Sequence, residues 1–370
     1  MVAISSRPNP RLTALRRVAQ RLSSRVFPDV AAAARTMLAL QAQDFAGACW
    51  SLGLRVDGAT EATVLDALAR REVVRSWPMR GTLHMVAAED LGWMLSLTTE
   101  RLIRGAATRR AQLGLDDAQL AHARTLARDA LSGGRRLTRE ALLAVFDQAG
   151  LSTASQRGYH ILWHLSQTSL LCFGPPEERE QTFVLLDEWV TAPRRLDRDQ
   201  ALGEFARRYF SSHGPATVHD FAWWSSLRMK DVYRAVAVAG DALATIGVDG
   251  TSYLLDPALL DAPEPAPDVL TLPGFDEYLL GYQNRSAALP AAFAPRIVPG
   301  NNGMFLPTIV VDGQVVGTWK RTKRARHIAV EAQPFTAMTK RARDGFTRAA
   351  DHYGRFMGAP VEVTFTEVAG

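Results

Sequence analysis

One order of segments recurs three times between residues 10 and 260: helix, helix, turn, helix, then two short strands. In the first round Leu12, Leu15, Val18 and Leu22 recur at helical spacing, and Pro28 opens a second, alanine-rich helix. A strand is expected at residues 49–56 (CWSLGLRV). Thr60 then caps a helix running to Arg70, and EVVRSWPMRGTLHMV (residues 72–86) reads as strand, Pro/Gly turn, strand.

After a basic helical connector (residues 97–114) the order returns. LDDAQLAHARTLARDAL is a helix, LTREALLAVFDQAG a second closed by Gly150, and a third begins near Ser152; SLLCF and TFVLLDEW make the strand pair. In the third round Asp197 and Gln200 stand at capping-box spacing, Thr217 and Asp220 resemble another box, RMKDVYRAVAVAG is the last helix, and a hairpin turns at Asp249-Gly250.

Helix-turn-helix plus wing, repeated in series, predicts an α+β chain of three tandem winged helix-turn-helix units at residues 1–93, 94–196 and 197–260. A Pro/Ala linker (DAPEPAPD, residues 261–268) leads into a mixed, β-rich C-terminal module, residues 261–370. That module holds a hairpin turning at Asp312-Gly313, a helix through residues 339–358 and a closing strand.

Composition narrows the class. At 47% hydrophobic over 370 residues the chain can bury several cores. The polar, proline-broken opening (MVAISSRPNPRL) is no signal peptide and no run is long enough to span a bilayer, so a soluble, cytoplasmic protein without a membrane partner is expected. Cys49 and Cys172 lack neighbours at ligand spacing and read as core residues. His160 and His164 share the i, i+4 spacing of a zinc pair, but no third ligand accompanies them; no metal and no cofactor is expected. Motifs for a hydrolase elbow or for nucleotide binding are absent, and PGNNG (residues 299–303) reads as a plain turn.

Charge is compatible with a polyanionic partner, and its total would equally suit an arginine-rich protein that has none. The net charge is +5, and between residues 320 and 355 ten Lys or Arg face three acidic residues, which predicts a basic face carrying Lys320, Arg321, Lys323, Arg324 and Arg326. Third helices of winged helix-turn-helix units enter the DNA major groove, which nominates Arg157 and His160 (with Gln156) and Arg228 and Lys230 (with Arg234). The same units could instead serve as a scaffold. Trp223 and Trp224 read as core on a stripe with Phe221 and Leu227. Asp276 and Glu277, in an apolar setting, are either site carboxylates or turn and salt-bridge formers. Gln41 and Gln43 in LALQAQDFAGA are either a helix cap or a site, since only extended backbone would turn both amides to one side.

LQAQD, SWPMRGTLHMV, HGPATVHDFAWWSSL, LPGFDEYLLGYQNR and GTWKR together resemble the AlkZ and YcaQ-like winged-helix DNA glycosylases, from about residue 10 to the C-terminus. The resemblance implies tandem winged helices framing a basic concave surface for duplex DNA. It maps the family's catalytic Gln, apolar, Gln motif onto Gln41, Ala42 and Gln43, in the branch that unhooks azinomycin-type interstrand crosslinks. Asp44, Asp276 and Glu277 become candidates for supporting the site, and a groove-approaching hairpin is placed at residues 310–320. The activity implied is cleavage of the glycosidic bond of cationic N7-alkylated purines, in monomeric form, at a shallow site without deep base flipping. The competing expectation is a winged-helix transcription regulator that binds duplex DNA without catalysis.

Overall fold

The computed structural model describes residues 8–23, 27–178 and 180–367; the first seven residues of the polar opening lie outside it. The fold is mixed α+β. Most expected helices form where the caps placed them. Thr60 caps Glu61–Ala69, and capping boxes at Asp197/Gln200 and Thr217/Asp220 open Arg198–His213 and Val218–Ser225. Asp249 and Gly250 both take positive φ (50° and 74°) at the hairpin turn between Ala244–Val248 and Thr251–Leu255, the demand of a primed two-residue turn.

Two local expectations fail. Residues 49–56 are not a strand: Asp44 starts the helix Phe45–Gly53, whose residues from Gly47 onward are all buried. Burial on every side leaves no helical stripe to read, and a short apolar run then mimics a strand. The last helix of the second round starts at Arg157, five residues late. Asp147 accepts from Thr153 N (2.8 Å) and Thr153 Oγ1 (2.6 Å), and Ser155 and Gln156 have positive φ (52° and 73°), so a turn occupies the predicted first helical turn.

The strand pairs of the first two rounds join one six-stranded sheet, ordered Leu40–Gln41, Thr82–Ala87, Val73–Met79, Leu171–Phe173, Thr182–Leu185, Leu137–Thr138. The third hairpin stands apart as a two-stranded sheet. A five-stranded C-terminal sheet runs Val361–Phe365, Ile328–Pro334, Gln314–Lys323, Thr308–Val311, Val269–Leu272, with one parallel pair at its edge. Its core is continuous with that of the N-terminal helices: Trp50 packs on Tyr353 and Phe356 of the helix Lys340–Met357, and Gly53 lies so close to the Phe356 ring that a Cβ would sit 2.3 Å from it. The segment carrying Gln41 and Gln43 thus starts as the edge of the six-stranded sheet and lies against the C-terminal module. Both cysteines are fully buried, as expected.

The hairpin at residues 310–320 does not present its turn to solvent. Gly313 is buried, its carbonyl accepts from Tyr278 Oη (2.7 Å), and its Cα faces Thr13. The exposed basic turn is the next one, where Lys323, Arg324 and Arg326 join Gln314–Lys323 to Ile328–Pro334.

Candidate active site

The helix Val30–Met37 ends at Leu38, which takes φ 68° while fully buried. A leucine there costs about 1–3 kcal/mol and persists only where packing enforces it. The chain then becomes an edge strand in which Leu40 pairs with Met85 and Gln41 with His84, and Ala42 N donates to Leu83 O at 2.7 Å. The glutamines therefore lie outside helix, and their amides meet: Gln41 Nε2 donates to Gln43 Oε1 at 2.6 Å. Gln41 is buried and Gln43 exposed. Ala42 between them is fully buried, and its carbonyl accepts from Arg75 Nε (2.9 Å) and Nη2 (2.7 Å).

The orientation of the amides follows from Arg80, at positive φ in the turn between Val73–Met79 and Thr82–Ala87. Its Nη2 donates to Gln41 Oε1 at 3.2 Å and its Nη1 to Trp224 O at 3.2 Å. Arginine only donates, so the Gln41 oxygen must face it and the Gln41 NH2 must face Gln43. Arg80 Nη2 also lies 2.9 Å from His84 Nε2, which makes that nitrogen the acceptor; Nδ1 then carries the proton and donates to Thr82 O at 2.9 Å. Burial, and secondarily Arg80, hold His84 well below the usual histidine range, so it stays neutral. A directed relay results, Arg80 to Gln41 to Gln43. It leaves the Gln43 oxygen with a second lone pair, on a residue that is exposed.

Glu277 holds the backbone of the same segment. Its Oε1 accepts from Gln41 N (3.2 Å), and its Oε2 accepts from Trp224 Nε1 (2.7 Å) and lies 3.3 Å from His213 Nε2. Glu277 and His213 are completely buried. Asp276 has a different job. It forms a fork with Arg55 (2.9 and 3.0 Å), accepts from Ser51 Oγ (2.6 Å), and caps Tyr278 N (3.0 Å). Burial raises its pKa, but the Arg55 charge and these hydrogen bonds outweigh it and hold the carboxyl below its usual range. Asp44 pairs with Arg321 at 3.2 Å, tying the C-terminal sheet to the residue after Gln43.

Beside Gln43 a cavity of 290 Å³ opens across the seam between the first two strand pairs, walled by Trp77, Tyr159 and Phe173, with Arg75 and Arg139 among its lining.

A family model described as DNA glycosylase AlkZ-like matches residues 34–356. The chain belongs to that family. The "interstrand DNA cross-link repair glycosylase" of Streptomyces sahachiroi is 28% identical over 319 residues, covering 81% of this chain and 84% of the relative. The solved structure of the Streptomyces sahachiroi DNA glycosylase AlkZ superposes with a TM-score of 0.76 at 24% identity, over 96% of this chain and 99% of that one, and shows the same fold.

In this AlkZ-like glycosylase the residues nominated for DNA contact separate into two kinds. Arg228, Lys230, Lys320, Lys323, Arg324 and Arg326 are exposed. Arg157 is not free: its Nε donates to Ser152 O (2.8 Å), and its Nη1 to Leu113 O and Gly114 O. Arg321 is held by Asp44, and His160 is half-buried, its charge disfavoured by burial and by Arg109. Arg157 and Arg321 thus already have partners within the protein, and His160 is only partly accessible. Sequence reasoning missed Arg75, Arg80 and His84. The signal for Arg80 was Met-Arg-Gly at a hairpin tip, a position where arginine earns no conformational advantage. Trp224 is core as expected, while Trp223 is half-buried with the Arg80 and Arg285 guanidiniums 5.5 and 5.0 Å from its ring centre.

Proposed function

We propose that this chain hydrolyses the N-glycosidic bond of cationic N7-alkylated purines in duplex DNA and unhooks interstrand crosslinks built on such bases, with Gln41 and Gln43 as its catalytic residues. The observation that carries the proposal is the relay ending on exposed Gln43. An amide does not titrate, so neither glutamine is a general base in the carboxylate sense. None is required for a leaving group that is already positively charged. The C1′–N9 bond breaks with its electron pair going to the purine, which neutralises the ring. Gln43 Oε1 accepts one O–H of a water whose oxygen adds to C1′, and the released proton passes to solvent. The amide dipoles, aligned beforehand by Arg80, stabilise positive charge as it develops on the sugar.

The three helix-turn-helix and wing units serve in this proposal as the frame that lays the duplex across Gln43, with the exposed basic residues against phosphates. The crosslink-repair name of the Streptomyces relative supports extending the substrate from single adducts to crosslinks. The test is single-turnover excision from a duplex carrying one N7-methylguanine, read as alkali-labile sites. Gln41→Ala or Gln43→Ala is expected to slow it by about 10²–10³-fold, roughly 3–4 kcal/mol. Unchanged rates in both variants, or robust excision of uracil by the wild type, would overturn the mechanism.

A further inference from the structure

The cleft beside Gln43 has a volume of 290 Å³, about ten times the volume a water occupies in the liquid, which is room enough to admit a bicyclic base. Its walls are aromatic. Trp77 meets Tyr159 edge to face (6.4 Å between ring centres) and Phe173 at 5.0 Å, and Tyr159 remains 39% exposed at the opening. The Arg75 guanidinium lies 5.0 Å from the Phe173 ring centre, anchored on the carbonyl of Ala42, and exposed Arg139 also lines the cavity. Aromatic rings inclined to one another, with arginine N–H groups beside them, fit an aromatic ligand bearing a carbonyl.

We propose that this cavity receives the purine as its glycosidic bond breaks, and that its arginines select guanine over adenine through the O6 carbonyl. The inference rests on the glycosylase reading and deepens it. Two physical points favour it. Arg75 hydrogen-bonds a carbonyl rather than a carboxylate, so its charge is not neutralised by its partner. Burial lowers its pKa to about 10, which still leaves it cationic at neutral pH. A cationic N7-alkylpurine is repelled by that charge; the neutral base left after cleavage is not. The repulsion therefore relaxes along the reaction while positive charge moves to the sugar beside Gln43. Guanine also presents an acceptor at position 6, where adenine presents an amino donor that arginine cannot pair with.

A base still tied to the opposite strand reaches the cavity less fully than a single adduct does. The cavity accordingly matters most for monoadducts.

The experiment compares excision of N7-methylguanine and N3-methyladenine from duplex by the wild type, Tyr159→Ala and Arg139→Met, with added free 7-methylguanine or 3-methyladenine as inhibitors. Arg139 is exposed and Tyr159 is 39% exposed; an unchanged unfolding temperature and unchanged affinity for undamaged duplex serve as the controls for folding. Expected are inhibition of the wild type by free 7-methylguanine about 10-fold stronger than by 3-methyladenine, loss of that inhibition in Tyr159→Ala, and a narrowed guanine-to-adenine ratio in Arg139→Met. An equal loss on both lesions in Arg139→Met, together with weaker duplex affinity, makes that residue a phosphate contact and overturns the selectivity. If the wild type excises both lesions, ignores both free bases, and neither variant changes a rate, the cavity plays no part while the glycosylase reading stands. If the wild type excises neither lesion, that reading falls and takes the cavity's role with it.

Discussion

Arg80 Nη2 stands 3.2 Å from Gln41 Oε1, and because the guanidinium can only donate, this contact decides which way both glutamine amides face. Without it Gln41 could rotate its amide and accept an N–H from Gln43 instead, which would reverse the relay and occupy the Gln43 donor. Arg80→Met keeps most of the stem and removes the donors. Excision of N7-methylguanine is expected to fall by up to about 10²-fold, with duplex affinity little changed. Arg80→Lys keeps the charge but loses the fork that reaches Trp224, His84 and Gln41 together, so it should recover only part of the rate. Wild-type kinetics in Arg80→Met would show that the amides hold their orientation unaided.

Nothing in the proposed chemistry titrates near neutrality. The excision rate of the wild type on a cationic base should therefore be level from roughly pH 6.5 to 9. Gln43→Glu places a titratable acceptor in the same position, still able to take the Gln41 N–H. Its pH–rate profile should acquire an acid limb centred near the carboxylate range, about pH 4–5. A bell-shaped profile in the wild type would point to a catalytic acid or base that the glutamine mechanism lacks.

Acid stability follows from the buried histidine. His84 is neutral in the fold, its pKa held well below 6.5 by burial and then by Arg80. In the unfolded chain it binds a proton below about pH 6.5. Between that value and the lower folded one, the unfolded state carries more protons, so stability rises with pH and is lost as pH falls. Its contribution to the slope approaches about 1.4 kcal/mol per pH unit there. Urea unfolding at pH 7.5, 6 and 5 measures it. His84→Gln should be less stable at pH 7.5 but lose less on acidification; an unchanged slope would mean that other groups dominate.

Much of the frame was legible in the sequence, and the reasons can be stated residue by residue. Thr60, Asp197 and Thr217 announce helix starts because their side chains satisfy backbone N–H groups locally, and Asp249-Gly250 announces its turn because few residues accept positive φ in succession. The glutamine pair could be located, and its release from the helix is enforced by Leu38, a residue with no local signal for positive φ. What orients the pair is remote in the chain: Arg80 lies 39 residues from Gln41, and Glu277 lies 236 away. No periodicity encodes such contacts. The same limit explains why Asp276 and Glu277, adjacent in sequence, could not be told apart before Arg55 was seen beside one and Gln41 beside the other.

That separation makes Asp276 a stability residue. Its carboxylate and the Arg55 guanidinium are both buried, and the arginine also donates to Gln20 and Ser51. Asp276→Asn leaves the Arg55 charge uncompensated inside the protein, at an expected cost of about 3–5 kcal/mol in unfolding free energy. Chemical denaturation measures this directly. Replacing both partners together, as Arg55→Met with Asp276→Leu, should cost less than the single change, because no charge is then stranded; a larger loss in the double variant would contradict the charge argument.

The basic surface yields a prediction that distinguishes free from tethered arginines. Lys323, Arg324 and Arg326 are exposed at the turn between the strands Gln314–Lys323 and Ile328–Pro334, whereas Arg321 is half-buried and paired with Asp44 at 3.2 Å. A side chain that neutralises a phosphate releases counterions and contributes about −0.9 to the slope of log K against log salt. Replacing Lys323, Arg324 and Arg326 together by alanine should flatten that slope by up to about 2.7 for undamaged duplex. Arg321→Ala should leave the slope nearly intact, because its charge already has a partner, and should instead slow excision by loosening the anchor one residue beyond Gln43. Equal slope changes per residue at all four positions would place Arg321 among the phosphate contacts and break its link to the catalytic segment.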